Sequence, residues 1–298
     1  MQPCHQNFAY AIQHVTEYIL LRLAKTVRNK TGSRNLCLSG GCAMNRVANG
    51  ILLKSGIFDR IHIPFAPDDS GTAIGAALTI SNLYGERLIN SNNTSYLGPA
   101  FSEKEILETL QATKIPYLYL NDKELFECVA HRLEMGCIVG WFQGRMEFGA
   151  RALGNRSILA AADNVTMKDR INASVKFRES FRPFAPVVLK EYADEIFHCR
   201  NCDNAHMSFA YDVKTNRYPA ITHVDGTARA QILEAKENPR LHNLLSSYYS
   251  LTGNPLLLNT SFNIMGEPIV CTPFDALQTF LKSGLDVLVM GNYFIEKE

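Results

Sequence analysis

Residues 144–185 read GRMEFGARALGNRSILAAADNVTMKDRINASVKFRESFRPFA. From Arg145 to Arg182 this stretch holds eight basic and four acidic residues, a net charge of +4, whereas the whole chain carries +1. The remainder of the chain is therefore slightly acidic, and the positive charge is local. We expect the chain to be organised around this stretch.

The cations of this stretch suit phosphate oxygens. Six of the eight are arginines, whose planar fork donates to phosphate or carboxylate in pairs, and they alternate with glycine and other small residues that let backbone amides approach a ligand. Interleaved aromatic residues indicate partial burial, where an unpaired cation is costly: Phe148, Phe177, Phe181 and Phe184. The stretch predicts a polyphosphate site, and a salt-bridged surface is the alternative.

Length and composition limit the class of protein. A chain of 298 residues with 46% hydrophobic residues predicts a globular protein of two domains. No apolar run approaches the ~20 residues of a membrane span, and the first residues do not form a signal peptide, so we expect a cytoplasmic protein. The eight cysteines show no framework spacing, which favours reduced thiols without disulfides. The near-neutral charge argues against a dedicated nucleic-acid binder, although one basic groove could hold RNA.

The first 85 residues predict one α/β domain. Its elements are a helix from about Phe8 to Val27, a strand at 35–39, a helix at 43–55, a strand at 60–65 and a helix at 72–84. Two polar loops, Gly40-Gly41 and residues 67–71, follow the two strands, at the sheet edge where nucleotides bind in α/β folds. Taken alone, the glycine pair is weak evidence for a nucleotide site and favours an ordinary tight turn.

Residues 86–100 are polar and lack an apolar period, which predicts an interdomain linker. Beyond it, residues 101–298 predict a second domain, so that the predicted fold class of the whole chain is α/β and α+β. Its elements are a helix opening at Ser102, a strand at 115–120, a helix capped by Asp122, strands at 137–142, 186–189 and 207–213, a helix at 241–251, a strand at 255–258, a helix at 273–281 and a strand at 286–290. The polar run Asn259-Thr260-Ser261-Phe262-Asn263 is predicted to follow its strand directly.

Five motifs carry a family resemblance: GWFQGRMEFGARALGNRSIL, VKFRESFRPFAP, HVDGTARAQ, NTSFNIMGEPIV and DVLVMGNYFI. In this order they resemble the NodU/CmcH-type O-carbamoyltransferases, and LCLSGGCAMN and PDDSGTAIGAA look like the end of that family's first domain. The resemblance implies that the second domain is similar to the YrdC/Sua5 fold and makes carbamoyl-adenylate from carbamoyl phosphate and ATP. It implies that residues 1–85 are the second lobe of a Kae1-like domain, an actin/Hsp70-like fold that passes the carbamoyl group to an acceptor hydroxyl.

The resemblance also assigns site residues. Lys176, Arg151, Arg182 and Arg229 would act on carbamoyl phosphate and ATP, with Lys176 as a point charge that follows moving negative charge and the arginines as forks that fix the phosphates. Further contacts in that site would come from Arg145, Arg156, Asp225, Asn259, Thr260, Ser261 and Asn263. Asp225 would hold Mg²⁺ or orient Arg229, and these two alternatives stay open. A structural network of ion pairs is the competing interpretation.

In the first domain the resemblance assigns adenylate contacts to Gly40, Gly41 and Asn45, and a divalent iron or similar metal to Asp69. Asp68 is interpreted as a helix cap. The family's metal site also uses an HxxH motif, which His5, His14 and His62 do not form. We therefore expect an incomplete transfer site in this chain, through truncation, a split gene or the choice of expressed segment. An amino-terminal lobe from elsewhere or a homo-oligomer would complete it, and an exposed half-domain face predicts self-association.

One cluster lies outside the family motifs. His198, Cys199, Cys202 and His206 have the ligand types of a zinc site, but the pairs are closer together than usual, so an incidental surface loop is favoured. Two other functions compete with carbamoyl transfer to a small-molecule hydroxyl, such as that of a sugar or natural product. One is a threonylcarbamoyl-adenylate synthase, against which the NTSFN and FRPFAP motifs stand. The other is a non-catalytic module that binds nucleotides or RNA.

Overall fold

The computed structural model describes residues 2–86, 94–199 and 204–297. The chain forms two compact units. The first comprises the described residues up to 86 together with Ser208–Ala210, and the second comprises the rest. Part of the predicted linker at 86–100 falls outside the described residues, and its residues 94–100 belong to the second unit.

The first unit is a small α/β layer. Its elements are α1 (Pro3–Thr31), β1 (Asn35–Cys37), α2 (Arg46–Lys54), β2 (Arg60–His62) and α3 (Thr72–Leu83). β1 and β2 pair in parallel, with Asn35 opposite Arg60 and Cys37 opposite His62. Their carboxyl ends therefore share one edge of the sheet, which confirms the prediction that the two polar loops lie side by side. A small core of Ala24, Leu52 and Phe58 joins α1 and α2.

The helix α1 is confirmed, but its apolar stripe is exposed. Phe8 is 69% exposed and Leu23 58% exposed. The exposed members of the stripe are Phe8, Ile12, Val15, Ile19, Leu23 and Val27. A contiguous apolar face of this kind favours association. We expect the purified chain to self-associate, which light scattering tests, since a monomeric mass at high protein concentration would contradict the expectation.

The second unit is a mixed α/β layer built on one large sheet. Its helices are α4 (Glu103–Thr113), α5 (Asp122–Glu134), α6 (Met167–Ser174), α7 (Lys190–Ile196), α8 (Pro239–Thr252) and α9 (Pro273–Lys282). Its strands are β3 (Leu118–Tyr119), β4 (Val139–Phe142), β5 (Arg156–Ala160), β6 (Ala185–Leu189), β7 (Tyr211–Asp212), β8 (Thr227–Ala228), β9 (Gln231–Leu233), β10 (Leu256–Ser261), β11 (Val287–Met290) and β12 (Tyr293–Glu296).

Among the described residues, eight of these strands form a sheet in the order β3-β12-β11-β4-β5-β10-β6-β9, while β7 and β8 form a separate ribbon. The central strands are buried along their length because helices pack on the sheet, as the apolar sequences of β4, β6 and β11 require. α5 and α8 close one face around Leu125, Val129, Leu241, Leu245 and Trp141. This core fixes the strands whose ends carry the candidate site.

Helix starts follow the predicted capping chemistry closely. Ser102 and Glu105 form a capping box at α4, as the sequence predicts. At α5 the cap is Asn121 rather than Asp122: the Asn121 side chain accepts from Glu124 N at 3.1 Å. Asp122 lies in the first turn instead, where its charge also suits the helix dipole.

Several predictions about the second unit are corrected. β10 continues through Ser261, so Asn259, Thr260 and Ser261 lie within the strand rather than after it. The predicted strand at 207–213 shortens to β7, and the prediction omitted β5, α6, α7, β8, β9 and β12. Cys199 is disulfide-bonded, so the expectation of reduced cysteines throughout is wrong at this residue. None of the described helices is both long and apolar enough to cross a bilayer.

Candidate anion-binding site

Lys176 lies at the centre of the site, because the fold buries it beside the end of β10. Its side chain is 3% exposed. Nζ donates to the carbonyl oxygen of Ser261, to Ser261 Oγ at 3.2 Å, and to the carbonyl oxygen and Oδ1 of Asn263 at 3.0 and 2.8 Å. The second and fourth family motifs therefore meet at one ammonium group.

Two opposing effects act on the charge of Lys176. Burial, and next the nearby charge of Arg178, lower the pKa of Lys176 to about 7. The surrounding oxygens accept hydrogen bonds from the ammonium and favour its charged form. A lysine balanced in this way changes charge near neutral pH, and a bound anion would hold it protonated.

Phe177 gives the backbone next to Lys176 an uncommon conformation. Its φ is +48°, a left-handed value that costs a residue with a Cβ about 1 kcal/mol or more and that clusters at functional sites. Arg178 follows, with its Nε donating to Asn172 Oδ1 at 2.8 Å and its guanidinium 4.7 Å from the centre of the Phe184 ring. The turn thus places two adjacent cations of the motif within electrostatic range of each other.

Three further arginines extend this charge. Burial and the charges of Arg182 and Arg229 lower the pKa of Arg178 to about 10. Burial and the charge of Arg151 do the same to Arg229, whose Nη2 donates to the carbonyl of Pro183 at 3.1 Å. We call this set the cationic cluster, and its members are Arg151, Lys176, Arg178, Arg182 and Arg229.

The cationic cluster brings several like charges close together, and one of them pairs with a carboxylate. Glu179 pairs with Arg182 at 3.2 Å, and both side chains are at least half exposed, so water screens that pair. Repulsion among partly buried cations destabilises the cluster by itself, and an anion with several charges would relieve it. The electrostatics therefore favour a polyphosphate over a single carboxylate.

The structure gives Asp225 a local role. Its Oδ1 accepts from Thr227 N at 3.0 Å and from Thr227 Oγ1 at 2.7 Å, a turn in which the side chain closes its own loop. Beside it, burial and next the charge of Arg229 lower the pKa of His223 to about 4. The neutral His223 and the Asp225 turn lie just before β8, and Arg229 follows β8 directly.

The predicted site residues of β10 point to opposite faces of the sheet. Asn259 and Ser261 lie on one face and Thr260 on the other, because successive side chains of a strand point in opposite directions. Asn259 is buried, and its Nδ2 donates to Gln231 Oε1 at 2.8 Å. Ser261 accepts a hydrogen bond from Lys176, as Asn263 does, so both residues contact the cationic cluster. Asn259 instead contacts Gln231.

Arg156 and Arg145 differ from the clustered arginines. Arg156 is completely buried, donates from Nη1 to the carbonyls of Gln143 and Asn155 at 2.6 and 2.9 Å, and stacks 3.6 Å from the centre of the Phe142 ring. This binding of backbone carbonyls indicates a structural role. Arg145 is exposed, and its Nη2 donates to the carbonyl of Leu97 at 3.2 Å.

Sequence reasoning did not single out three residues that the geometry makes important. Arg178 is the charge next to Lys176, Gln231 holds Asn259, and Glu147 is a buried carboxylate within the basic stretch. Arg178 could have been recognised from its place in KFRESFR. Gln231 carries no local signal, because it binds Leu153 and Asn259, which are distant in sequence. Glu147 binds backbone amides within the same stretch, but the residue type alone does not show that its side chain turns inward.

In the first unit the two polar loops meet as predicted. Gly40 N donates to the carbonyl of Pro67 at 2.6 Å, and Ser39 Oγ donates to the same oxygen at 3.1 Å. Asn45 caps α2, accepting from Ala48 N at 3.1 Å, and exchanges hydrogen bonds with Gln13 of α1. A Cβ added at Gly41 would meet no described atom within 4 Å, so its backbone is open to a ligand.

The carboxylates of the first unit do not make a metal site by themselves. Asp68 caps the turn at 69–71, accepting from Ser70 N at 3.2 Å, as the sequence predicts. Over residues 2–86, 94–199 and 204–297, no three side chains of the types that bind metals converge. Asp69 alone does not fit iron, which prefers several ligands, and we derive no chemical step through that metal.

The zinc interpretation of the cysteine–histidine loop also lacks support. Cys199 is disulfide-bonded, so its sulfur is not a thiolate ligand. Cys202 lies outside the described residues. His198 and His206 alone are too few for a structural zinc site, which uses four ligands.

The low pKa of Lys176 predicts a pH dependence of anion binding. Sulfate stays fully ionised between pH 6 and 9, so only the protein titrates. Because the folded pKa lies near 7 instead of 10.5, the ammonium loses its proton as pH rises through 7, and sulfate affinity should fall by up to about tenfold per pH unit. Calorimetry measures this, with Lys176→Arg as the control that stays charged. A wild-type affinity that does not change over this range would contradict the assignment.

Comparison with known proteins identifies the family. Residues 130–297 match the model described as the carbamoyltransferase C-terminus, and residues 1–78 match the carbamoyltransferase N-terminus. An uncharacterised protein of Synechocystis is 44% identical over 98% of this chain and 52% of its own length. The nodulation protein NolO of Bradyrhizobium diazoefficiens is 41% identical over 98% of this chain and 55% of its own length. The chain thus spans about half the length of the curated relatives it matches.

Among solved structures, full-length HypF in the phosphate- and nucleotide-bound form resembles part of this chain, with 16% sequence identity and a TM-score of 0.44. The alignment covers 59% of this chain and 22% of the HypF chain. A similarity this weak supports no functional conclusion. The two family matches cover the motifs on which the resemblance rests, including every member of the cationic cluster. The chain belongs to the carbamoyltransferase family.

Proposed function

We propose that the second unit forms carbamoyl-adenylate from carbamoyl phosphate and ATP, and that the carbamoyl group is then transferred to a hydroxyl of a small molecule such as a sugar or natural product. The observation that carries the proposal is the cationic cluster around Lys176. Its charge is concentrated and partly buried, as a site for two phosphorylated substrates requires.

The proposed reaction conserves atoms as follows. Water cleaves carbamoyl phosphate to carbamate and inorganic phosphate. A carbamate oxygen then attacks the α-phosphorus of ATP, a new P–O bond forms, and the bond to pyrophosphate breaks. Negative charge grows on the leaving pyrophosphate, so fixed cations stabilise this step more than they stabilise the bound substrates.

In this proposal the residues have separate roles. Lys176 follows the growing charge as a point cation, while Arg151, Arg182 and Arg229 fix phosphate oxygens. Ser261 and Asn263 accept hydrogen bonds from the Lys176 ammonium and would lie beside the bound phosphates. Mg²⁺ would accompany ATP and neutralise its phosphates.

For the first unit we propose a Kae1-like lobe whose Gly40-Gly41 loop contacts the adenylate, while the second unit corresponds to the YrdC-like fold. The proposed domain limits remain 1–85 and 101–298. A cytoplasmic location also remains a prediction. The acceptor step would need the remainder of a Kae1-like domain, supplied by another segment or a partner chain.

The proposal is tested by incubating the protein with ATP, Mg²⁺ and carbamoyl phosphate and measuring pyrophosphate release. We expect release that requires carbamoyl phosphate and is lost in Arg182→Ala. Threonine and bicarbonate in place of carbamoyl phosphate test the threonylcarbamoyl-adenylate alternative. Absence of release with every substrate, together with salt-sensitive RNA binding that needs no ATP, would favour the binding module instead.

A further inference from the structure

Glu147 is a buried carboxylate in the basic stretch, and the proposed chemistry gives it no direct role. It is 6% exposed. Its Oε1 accepts hydrogen bonds from the backbone amides of Leu153 at 2.6 Å, Asn155 at 2.8 Å and Arg156 at 3.4 Å. Burial raises the pKa of Glu147, and these amide hydrogen bonds oppose the increase. One side chain thus closes the loop between itself and β5.

Arg151 lies in that closed loop, which we call the Arg151 loop and define as residues 148–155. Gly149 and Gly154 have φ values of +114° and +112°, where glycine moves freely and other residues are strained. A loop with two such positions loses much conformational entropy when it is ordered. The carboxylate of Glu147 is one of the contacts that offsets this cost.

Two further contacts of the Arg151 loop are made by the carbonyl of Leu153, the residue whose amide Glu147 binds. The carbonyl of Leu153 accepts from Tyr96 Oη at 2.9 Å and from Gln231 Nε2 at 2.8 Å. Leu153 is therefore fixed through its amide by Glu147 and through its carbonyl by two side chains. It lies two residues after Arg151.

Gln231 also connects the Arg151 loop to the residues around Lys176. Gln231 lies two residues after Arg229 and also receives the amide of Asn259, which lies two residues before Ser261. Asn259 and Ser261 share a face of β10 because residues two apart in a strand do so, and Arg229 lies just before β9, which begins at Gln231. The hydrogen bond between Gln231 and Asn259 therefore connects the segment that carries Arg229 to the strand end that holds Lys176. A shift of the Arg151 loop would move Arg151 relative to Arg229, whose charges interact.

We propose that Glu147 is a positioning residue that holds the Arg151 loop in the conformation in which Arg151 binds the anionic substrate with Arg229. This inference rests on the proposed function of the cationic cluster as a polyphosphate site. It assigns Glu147 no contact with substrate. Its effect on binding should therefore pass entirely through Arg151.

A double-mutant cycle tests this dependence, with inorganic pyrophosphate as the probe and calorimetry as the measurement. We expect Glu147→Ala to weaken pyrophosphate binding about tenfold, and Glu147→Gln, which keeps an acceptor oxygen, to weaken it less than about threefold. In an Arg151→Ala background, adding Glu147→Ala should cause no further loss. Losses that multiply, or unchanged binding in Glu147→Ala, would overturn the proposal.

Controls separate positioning from general stability. Asp286→Ala also removes a carboxylate that accepts from a backbone amide, that of Ile138 at 2.7 Å, and should leave pyrophosphate binding unchanged. If Glu147→Ala does not fold, Glu147→Asp takes its place in the cycle. Failure of the wild-type protein to bind pyrophosphate would overturn the polyphosphate site itself, whereas wild-type binding with multiplying losses overturns only the role of Glu147.

Discussion

Lys176→Met should lower the rate of carbamoyl-phosphate-dependent pyrophosphate release by about 100- to 1,000-fold. The substitution keeps the apolar stem of the side chain and removes the ammonium, which donates to oxygens of both Ser261 and Asn263. A loss of this size is typical when one fixed donor to a developing charge is removed. A coupled enzymatic assay for pyrophosphate measures the rate.

The matched control for this prediction is Lys190→Met. Lys190 pairs with Glu234 at the surface, and its loss should change neither the rate nor the fold. Lys176→Met removes a costly buried ammonium but leaves the carbonyls of Ser261 and Asn263 without this donor. Because these two effects oppose each other, the melting temperature should change little. A folded Lys176→Met protein that retains more than a tenth of the wild-type rate would contradict the role given to Lys176.

Arg156→Ala should destabilise the protein by about 3 kcal/mol or more, because each buried carbonyl left without a donor costs about 1–3 kcal/mol. The substitution removes the donor to the carbonyls of Gln143 and Asn155 and the stacking on Phe142. Urea unfolding followed by circular dichroism measures the change.

Arg182→Ala is the matched comparison for Arg156→Ala. Arg182 is half exposed and pairs with an exposed Glu179, so its loss should change stability by less than about 1 kcal/mol while it weakens pyrophosphate binding. If Arg156→Ala were as stable as the wild type and lost binding instead, Arg156 would be a ligand as the family resemblance implies.

These two arginines show what the sequence can and cannot predict about the site. Both lie in the same basic stretch, and residue type and spacing do not distinguish them. Arg156 is buried because β5 pairs with β4 and β10, and pairing of distant strands is not encoded in the local pattern. Asn259 is a second example. The motif predicts that it binds a ligand, but in the structure its side chain donates to Gln231.

The elements with strong local signals were predicted well. The apolar period of α1, the capping box of α4 and the parallel order of β1 and β2 all follow from nearby residues. β12 and α7 were not predicted, since they are short and take their stability from packing. The meeting of Lys176 with Ser261 and Asn263 joins positions 85 and 87 residues apart, and only the family resemblance placed all three in one site.

In the proposed reaction, pyrophosphate is the leaving group of an adenylate-forming step. Exchange of radiolabelled pyrophosphate into ATP tests it most directly, because label returns to ATP only if that step occurs and reverses. We expect exchange that requires carbamoyl phosphate and is absent in Lys176→Met. Hydrolysis of ATP to ADP with no exchange, in protein that binds pyrophosphate, would contradict it.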